Sequence, residues 1–189
     1  MKLLVNAPFG RQELIEVGEG GGYFDPARVL WDERVDGPLP ETTMGGMVRV
    51  GGALVLDAAI LAASVAIVRD AAKADKWEAI KAERDRRTQT GGYYVAPHWY
   101  HSDTFSRTQQ LGLVMLGVNI PSGTLWKTLD NGLIAMTQTL AGQIFGAAAA
   151  SDIAIFAAAQ THKAAMEASA DPTAYDFSGG WPVMYEAAP

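Results

Sequence analysis

The 189-residue chain contains no cysteine, which excludes disulfide bonds, thiol nucleophiles and zinc sites built from cysteine. Histidine is also scarce, with three residues in the whole sequence. His98 and His101 lie close together, but no cysteine or close carboxylate pair completes a set of metal ligands, and His162 lies in an alanine-rich stretch. We therefore expect neither a metal site nor a cofactor.

Sequence motifs of catalysis are missing as well. There is no G-x-S-x-G element for a serine nucleophile, and the glycine-rich run Gly18–Gly22 is not followed by the Gly-Lys-Ser/Thr of a phosphate loop. Glu78, Glu83 and Asp85 alternate with basic residues, a pattern typical of a solvated helix face rather than of paired catalytic carboxylates. We therefore expect that the protein is not an enzyme.

The chain has no excess of positive charge. Its 15 basic and 21 acidic side chains give a net charge of −6, which argues against binding to nucleic acid through phosphate contacts. The longest candidate for a membrane-spanning stretch is Ala58–Val68, which has eleven residues, whereas a helix that spans a membrane needs roughly 20. The first ten residues also lack the apolar core of a signal peptide. We expect no nucleic-acid partner, no membrane insertion and no signal peptide.

Charge is especially scarce in the second half of the chain. Residues 91–189 contain three basic and seven acidic side chains, whereas charged residues make up about 25% of an average protein. Because a soluble monomer normally covers itself with charge, we expect this half to bury surface against another chain. The alternative is a neutral surface of serine, threonine, glutamine and alanine, all of which are common here.

Residues 1–56 predict a small antiparallel β unit made of short strands. Glycine and proline assign Gly18–Gly22 to a loop and Asp36–Pro40 to a turn. The pair Gly51-Gly52 between two apolar runs is typical of a two-residue hairpin turn. The predicted strands are Lys2–Ala7, Gln12–Val17, Arg28–Arg34, Met47–Val50 and Ala53–Leu56.

Residues 57–90 predict a long connecting helix that begins after an Asp57 N-cap and runs to about Arg87. Its first part is apolar on nearly every side, whereas 12 of the 19 residues from Arg69 to Arg87 are charged. A helix that is apolar all round is buried, so we expect the first part to join a core shared between copies. The candidate oligomer interface consists of Ile60, Leu61, Val65, Ile67 and Val68.

Residues 91–170 predict a C-terminal domain in which two β-hairpins pack on two helices, which makes the whole chain α+β. The hairpins surround Ala96-Pro97 and Asn131-Gly132, of which the latter predicts a two-residue type I′ turn. The helices are expected at about 104–118 and 138–169. On the first helix we expect burial of Phe105, Leu111, Val114, Met115 and Val118, and on the second of a stripe comprising Leu140, Ile144, Ala147, Ala148, Ser151, Ile155, Ala158 and His162.

Aromatic residues are concentrated around the first of these hairpins and in residues 171–189, which predict an aromatic C-terminal arm. Such side chains can stack on sugars or pack on a partner protein, and the alternative is that they form the core between hairpin and helix. For the arm, the alternative is a poorly ordered terminus. The candidate partner or ligand surface consists of Tyr93, Tyr94, Trp99, Tyr100, Trp181 and Tyr185.

The second half also carries a recognisable family pattern. It comprises W-E-A-I-K-A-E-R-D-R-R at 77–87, Y-V-A-P-H-W-Y-H-S-D at 94–103, F-S-R at 105–107, L-W-K-T at 125–128 and N-G at 131–132. Over roughly residues 76–182 the chain resembles the C-terminal domain of unknown function found in small proteins beside tail-fibre genes of bacteriophages and prophages. Its N-terminal part, with G-G-Y-F-D at 21–25, is similar to the front ends of tail-fibre assembly proteins.

The resemblance implies a non-enzymatic structural protein of the phage tail tip, baseplate or tail fibre, located in the virion tail and assembled in the host cytoplasm. Its partners would be copies of itself, in a homo-oligomer for which a trimer is favoured, and other phage tail or fibre proteins. One alternative is a chaperone that binds fibre chains during assembly and is then released. Another is a module that recognises carbohydrate on the host surface, which requires the aromatic side chains to be exposed.

Overall fold

The computed structural model describes residues 2–6, 12–17, 26–33 and 46–186, and its fold is α+β, as expected. The chain divides into two compact units, residues 1–72 and residues 73–189, and the division falls within the long helix. The predicted loop Gly18–Gly22 and turn Asp36–Pro40 lie outside the described residues.

The first unit contains a three-stranded antiparallel sheet with the strand order β2-β1-β3. Leu4 on the central strand lies opposite Leu14 on one neighbour and Trp31 on the other, and Leu4, Trp31 and Met47 form a small buried core. Each predicted strand is confirmed, although the third is shorter than expected. The strands are β1 (Lys2–Asn6), β2 (Gln12–Glu16) and β3 (Val29–Asp32).

A separate hairpin of β4 (Met47–Val50) and β5 (Ala53–Leu56) follows in the same unit, as predicted. Gly51 and Gly52 both have positive φ, at 58° and 89°, which is the backbone of the two-residue turn that glycine favours. The helix α1 (Ala58–Thr90) begins after Asp57, whose carboxylate accepts hydrogen bonds from the amides of residues 59 and 60 at 2.9 and 3.1 Å. This confirms the N-cap, and the helix ends three residues beyond the predicted end.

The second unit contains the last part of α1, two hairpins and two further helices, and so confirms the predicted element types. The first hairpin pairs β6 (Tyr93–Val95) with β7 (His98–Tyr100), and the second pairs β8 (Leu125–Lys127) with β9 (Leu133–Ala135). The helices are α2 (Thr104–Leu116), extended by a short 3-10 turn at 117–119, and α3 (Gln138–Ala168).

The turn of the second hairpin differs from the prediction. Asn131 has φ of 64°, but Gly132 has no positive φ, and the amide of Thr128 donates to the carbonyl of Gly132 at 2.9 Å. This hydrogen bond and the backbone angles define a three-residue loop with one left-handed residue instead of a two-residue type I′ turn. The asparagine takes the left-handed position, which its short polar side chain tolerates.

The helix α3 carries two cores, one toward each end. Its first half packs with both hairpins and α2 around Ile144, and its second half packs with α1 and the C-terminal arm around Ala159. The predicted stripe of α3 is confirmed, since every member is buried or half-buried. The buried residues are Tyr93, Tyr100, Met136, Ala141, Ile144 and Ala148 in the first core, and Ile80, Ala159 and Met166 in the second.

The buried face predicted for α2 is wrong. The buried residue of this helix is Gln110, whose amide group binds the Tyr93 hydroxyl and donates to the His101 carbonyl at 3.1 Å. Of the five expected core residues only Val114 is half-buried. The other four, Phe105, Leu111, Met115 and Val118, are exposed.

The prediction that Ala58–Val68 is the longest candidate for a membrane-spanning stretch is also wrong. By length and composition alone, α3 is long and apolar enough to cross a membrane, and 22% of its most apolar window is buried. Helices of soluble proteins can have the same length and composition. The absence of membrane insertion therefore stays a prediction.

Candidate functional site

An open cleft of about 590 Å³ lies within the second unit, between the first hairpin, the middle of α3 and the C-terminal arm. Three aromatic residues, several small residues, a proline and a valine form its walls. No carboxylate, amine, guanidinium or imidazole group is among its lining side chains, so it suits an uncharged and partly apolar ligand. The lining residues are Gly92, Tyr93, Tyr94, Trp99, Ala147, Ala150, Ser151, Pro182 and Val183.

The exposed aromatic surface of this cleft is provided by Tyr94 and Trp99. They lie opposite each other on the two strands, with ring centroids 5.5 Å apart and planes tilted by 50°. Tyr94 is 52% exposed, whereas Trp99 is half-buried because its ring also contacts Tyr185, at 6.0 Å. The condition for ligand recognition is therefore met by the tyrosine and in part by the tryptophan.

The second hairpin holds Trp99 in place. The amide of Leu129 donates to the carbonyl of Trp99 at 2.7 Å, and Asp130 Oδ2 lies 3.1 Å from His98 Nδ1 and accepts from the Trp99 amide at 3.4 Å. Gly92, with φ of 65°, lets the loop approach, because a Cβ there would lie 2.7 Å from Leu129 Cδ2. Contacts between the two hairpins thus fix the position of Trp99 at the cleft.

Tyr93 and Tyr100 are core residues, which corrects their assignment from the sequence to an exposed partner or ligand surface. They are 3% and 1% exposed and lie in the first core. Burial raises the pKa of Tyr93 to about 12, an effect that Arg107 and the hydrogen bond with Gln110 partly offset. Side chains alternate between the two faces of a hairpin, so Tyr93 and Tyr100 point inward while their neighbours Tyr94 and Trp99 point outward.

The aromatic arm packs on its own unit. The Trp181 ring lies 4.9 Å from the His162 ring and 5.1 Å from the Arg87 guanidinium, and its indole N–H donates to the Phe177 carbonyl at 2.7 Å. The amide of Tyr185 donates to the carbonyl of Gly91 at 2.8 Å. Both candidate arm residues, Trp181 and Tyr185, are half-buried by these contacts, which leaves Val183 as the exposed apolar side chain of this wall.

The candidate oligomer residues on α1 are largely exposed within the single chain. Ile60, Val65, Ile67 and Val68 are 38%, 56%, 41% and 55% exposed, and Leu61 is half-buried. All five lie within nine consecutive residues, about two and a half turns of helix. The described part of the first unit therefore leaves most of this apolar segment uncovered.

A second exposed apolar surface, not anticipated from the sequence, runs along α2 and α3. The two helices are joined by Arg107 and Asp152, whose charged groups meet in two contacts of 2.6 and 2.9 Å. Residues one or two turns from each partner lie on the same side of its helix as the ion pair. Leu111, Met115, Phe145 and Phe156 are such residues, while Ile153 directly follows Asp152 and Val118 lies in the 3-10 turn after α2. We call the surface made by these six exposed apolar residues the α2–α3 seam.

Several residues of the recognised pattern prove to be structural. Arg107 donates to the carbonyls of Ser102 and Thr88 as well as to Asp152, and its guanidinium lies 5.6 Å from the Tyr93 ring. Trp77 and Ile80 belong to the second core. The spacing of Trp77 and Ile80 in the sequence indicates one helix face. The partners of Arg107, in contrast, come from four different segments, so no local sequence pattern predicts them.

The charged part of α1 is a network of ion pairs. Glu83 accepts from Arg86 and Arg87 at 2.6 Å each, and these two arginines, Arg86 foremost, lower the pKa of the Glu83 carboxyl group. Arg87 also donates to the Pro182 carbonyl at 3.3 Å and so ties the arm to the helix.

Among the described residues, no three histidine, aspartate or glutamate side chains are placed to hold a metal ion. Comparison with curated proteins finds no match, and comparison with solved structures finds none either. A family model described as a domain of unknown function, DUF4376, matches residues 71–179, a range that overlaps the stretch with the recognised pattern. Since this match covers more than half of the 189 residues, the chain belongs to the DUF4376 family.

Proposed function

We propose that the protein is a non-enzymatic structural component of a phage tail tip, baseplate or fibre. It acts by associating with copies of itself and by docking on other tail proteins. The phage context rests on the resemblance of residues 76–182, and the mode of action rests on the exposed apolar surfaces.

The observation that carries the proposal is the uncovered first part of α1. Four large apolar side chains, Ile60, Val65, Ile67 and Val68, are each at least 38% exposed there. Burying apolar surface stabilises an association by roughly 25 cal/mol per Å². A contiguous segment of this kind marks a protein interface, and a bundle of identical α1 segments would bury it in a symmetric oligomer.

The substitution Ile67→Asp tests this proposal. Since Ile67 is already 41% exposed in the single chain, the substitution should leave the monomer folded. In an oligomer it would bury an unpaired carboxylate at a cost on the order of 3–5 kcal/mol, which weakens association by roughly a hundredfold or more. We expect light scattering coupled to size-exclusion chromatography to show a smaller particle than for the wild type.

The matched control is Ala79→Asp, which adds the same charge at an exposed position in the charged part of α1. It should keep the wild-type mass. An unchanged mass for Ile67→Asp, with circular dichroism showing normal folding in both variants, would assign the apolar segment to no interface. Mass spectrometry of purified virions then separates a tail component, present in defined copy number, from a chaperone, which is missing from virions.

The cleft favours a second candidate function, recognition of a neutral carbohydrate on the host surface. Tyr94 and Trp99 offer ring faces on which the C–H face of a sugar can stack, and Ser151 and the Tyr94 hydroxyl offer hydrogen bonds. The absence of charge among the lining side chains fits a neutral ligand better than an acidic one.

Attachment of labelled protein to host cells tests this second function. Tyr94→Ala removes an exposed ring without opening a core, so we expect roughly tenfold weaker attachment at unchanged stability. Phe105→Ala removes an aromatic ring that is 72% exposed and outside the lining of the cleft, and it serves as the control. Equal attachment of both variants, or no attachment by the wild type, would exclude the cleft as a host-binding site.

A further inference from the structure

The α2–α3 seam joins six exposed large apolar side chains along two neighbouring helices. Met115 and Val118 are both 80% exposed, and Ile153 is 71% exposed. Leu111, Phe145 and Phe156 are 44%, 48% and 55% exposed. Nothing in the folding of the described chain explains why these side chains are apolar.

The relation between the two helices follows from two contacts near opposite ends of α2. Arg107 near its start pairs with Asp152 in the middle of α3, whereas a Cβ on Gly117 after its end would lie 3.8 Å from the side chain of Gln138 at the start of α3. The helices are therefore antiparallel. Leu111 and Met115 lie one and two turns from Arg107, and Phe145 and Phe156 lie two turns and one turn from Asp152, so they flank the same boundary.

Three glycines within these helices add an independent observation. Gly112, Gly142 and Gly146 are exposed, and a Cβ built on any of them would meet nothing within 4 Å. Glycine inside a helix is unfavourable relative to alanine, and no neighbour within the described chain requires it at these positions. A glycine there is explained if the backbone of a second helix approaches closely.

Charge does not oppose burial of this surface. From Gln138 to Thr161 the sequence contains one charged residue, Asp152, and its carboxylate is bound by both terminal nitrogens of Arg107. A second copy can therefore cover the seam without leaving an unpaired charge. Arg107 is likewise the one charged residue of α2, so the two helices bring no net charge to this surface.

The area is also what a stable dimer needs. Each of the six side chains offers on the order of 100 Å². Together with the intervening glycines and alanines they approach the ~800 Å² that each partner contributes to a specific interface. We propose that the α2–α3 seam pairs with the same surface of a second copy about a two-fold axis, with Gly142 and Gly146 at the closest approach of the two α3 helices.

This inference extends the self-association of the proposed function to a second interface, distinct from the α1 segment. The test measures the mass of the full chain by sedimentation velocity for Gly146→Leu and Ile153→Lys. Gly146→Leu is diagnostic because its side chain enters open space in the single chain and improves helix propensity, but it blocks close approach of a second helix. Gly179→Leu, at another open glycine outside the helices, is the matched control.

We expect both seam variants to halve the mass of the wild-type particle, with the thermal midpoint of the dissociated Gly146→Leu chain no lower than that of Ile153→Lys. The Gly179→Leu control should keep the wild-type mass. Ile67→Asp should leave seam-linked dimers, and its combination with Gly146→Leu should give monomers.

Each alternative has its own outcome. Wild-type mass in both seam variants, or monomers from Ile67→Asp alone, would overturn the seam while leaving the α1 proposal standing. A halved mass in the seam variants with no effect of Ile67→Asp supports the seam and contradicts the α1 interface. A monomeric wild type that sediments with phosphatidylethanolamine–phosphatidylglycerol vesicles, with loss of binding in Ile153→Lys, would assign the seam to a lipid surface and overturn pairing.

Discussion

Asp103 holds the first turn of α2. Its carboxylate accepts hydrogen bonds from the amide and the hydroxyl of Ser106 at 2.9 and 2.6 Å, and these bonds lower the pKa of Asp103 below its ordinary value. Ser102 and Asp103 both precede the helix, and Asp103 is its N-cap. Ser102 is buried and instead accepts a hydrogen bond from the Gly92 amide at 3.0 Å.

The lowered pKa of Asp103 predicts a pH dependence of stability. Because the folded state binds the proton of this group less readily than the unfolded state, the contribution is complete above about pH 5 and is lost as pH falls through the folded pKa, below 3.8. Asp130 acts in the same direction, chiefly through the Thr128 hydroxyl and then His98. We expect the free energy of unfolding, measured in urea, to fall between pH 5 and pH 3.

The variant Asp103→Asn isolates the contribution of Asp103. Asparagine caps a helix about as well as aspartate but does not titrate. The variant should therefore unfold with a free energy close to that of the wild type at pH 3 and lose less stability over the same interval. Identical slopes for the two proteins would show that the Asp103 cap adds nothing to the pH dependence.

The aromatic hairpin shows what a residue pattern contains and omits. Alternation along a strand groups Tyr93 with Tyr100 and Tyr94 with Trp99, and the observed register pairs them in this way. The pattern does not say which pair faces inward. Packing against Ile144 and Ala148 of α3 decides this, and those contacts are distant in sequence.

At the scale of elements, Arg107 links four segments of the second unit. It contacts the end of α1 through Thr88, the residues after β7 through Ser102, and α3 through Asp152. The side chain is 25% exposed and that of Asp152 is 40% exposed, so solvent weakens the pair relative to a fully buried one.

Replacing Arg107 with lysine keeps the positive charge but loses the forked geometry of the guanidinium and its two hydrogen bonds to backbone carbonyls. We expect a loss of about 2 kcal/mol in the free energy of unfolding. A double-mutant cycle with Asp152→Asn should give a coupling of at least ~1 kcal/mol. The control is Lys127→Met at an exposed position, which should change the free energy of unfolding by less than ~0.5 kcal/mol. An equally small effect of the Arg107 substitution would contradict the role of Arg107 in linking these segments.

The wrong prediction of the buried face of α2 has a physical cause. A pattern of apolar residues identifies a helix face that avoids water, but it does not distinguish a face buried within the chain from one buried against another chain. Gln110 is buried because Tyr93 and His101 satisfy its amide group. The apolar residues Leu111 and Met115 are left on the α2–α3 seam.

At the scale of the whole molecule, the described residues expose apolar surface on both units. The first unit exposes the apolar part of α1, and the second unit exposes the seam and an aromatic cleft. The two proposed self-association surfaces would together allow assemblies larger than a dimer. The expected scarcity of charge in the second half is consistent with this distribution, although oligomerisation itself stays a prediction.

Element type and approximate boundaries were determined by the sequence alone, because caps, glycine pairs and periodicity act over a few residues. Asp57 caps α1 as predicted, α3 begins at the predicted residue Gln138, and Gly51-Gly52 forms the predicted turn. The choice between inside and outside for Tyr93, Tyr94 and the face of α2 was decided by tertiary structure. That choice depends on which distant segments meet, as Arg107 and Asp152 do across 45 residues, and no local pattern encodes such a meeting.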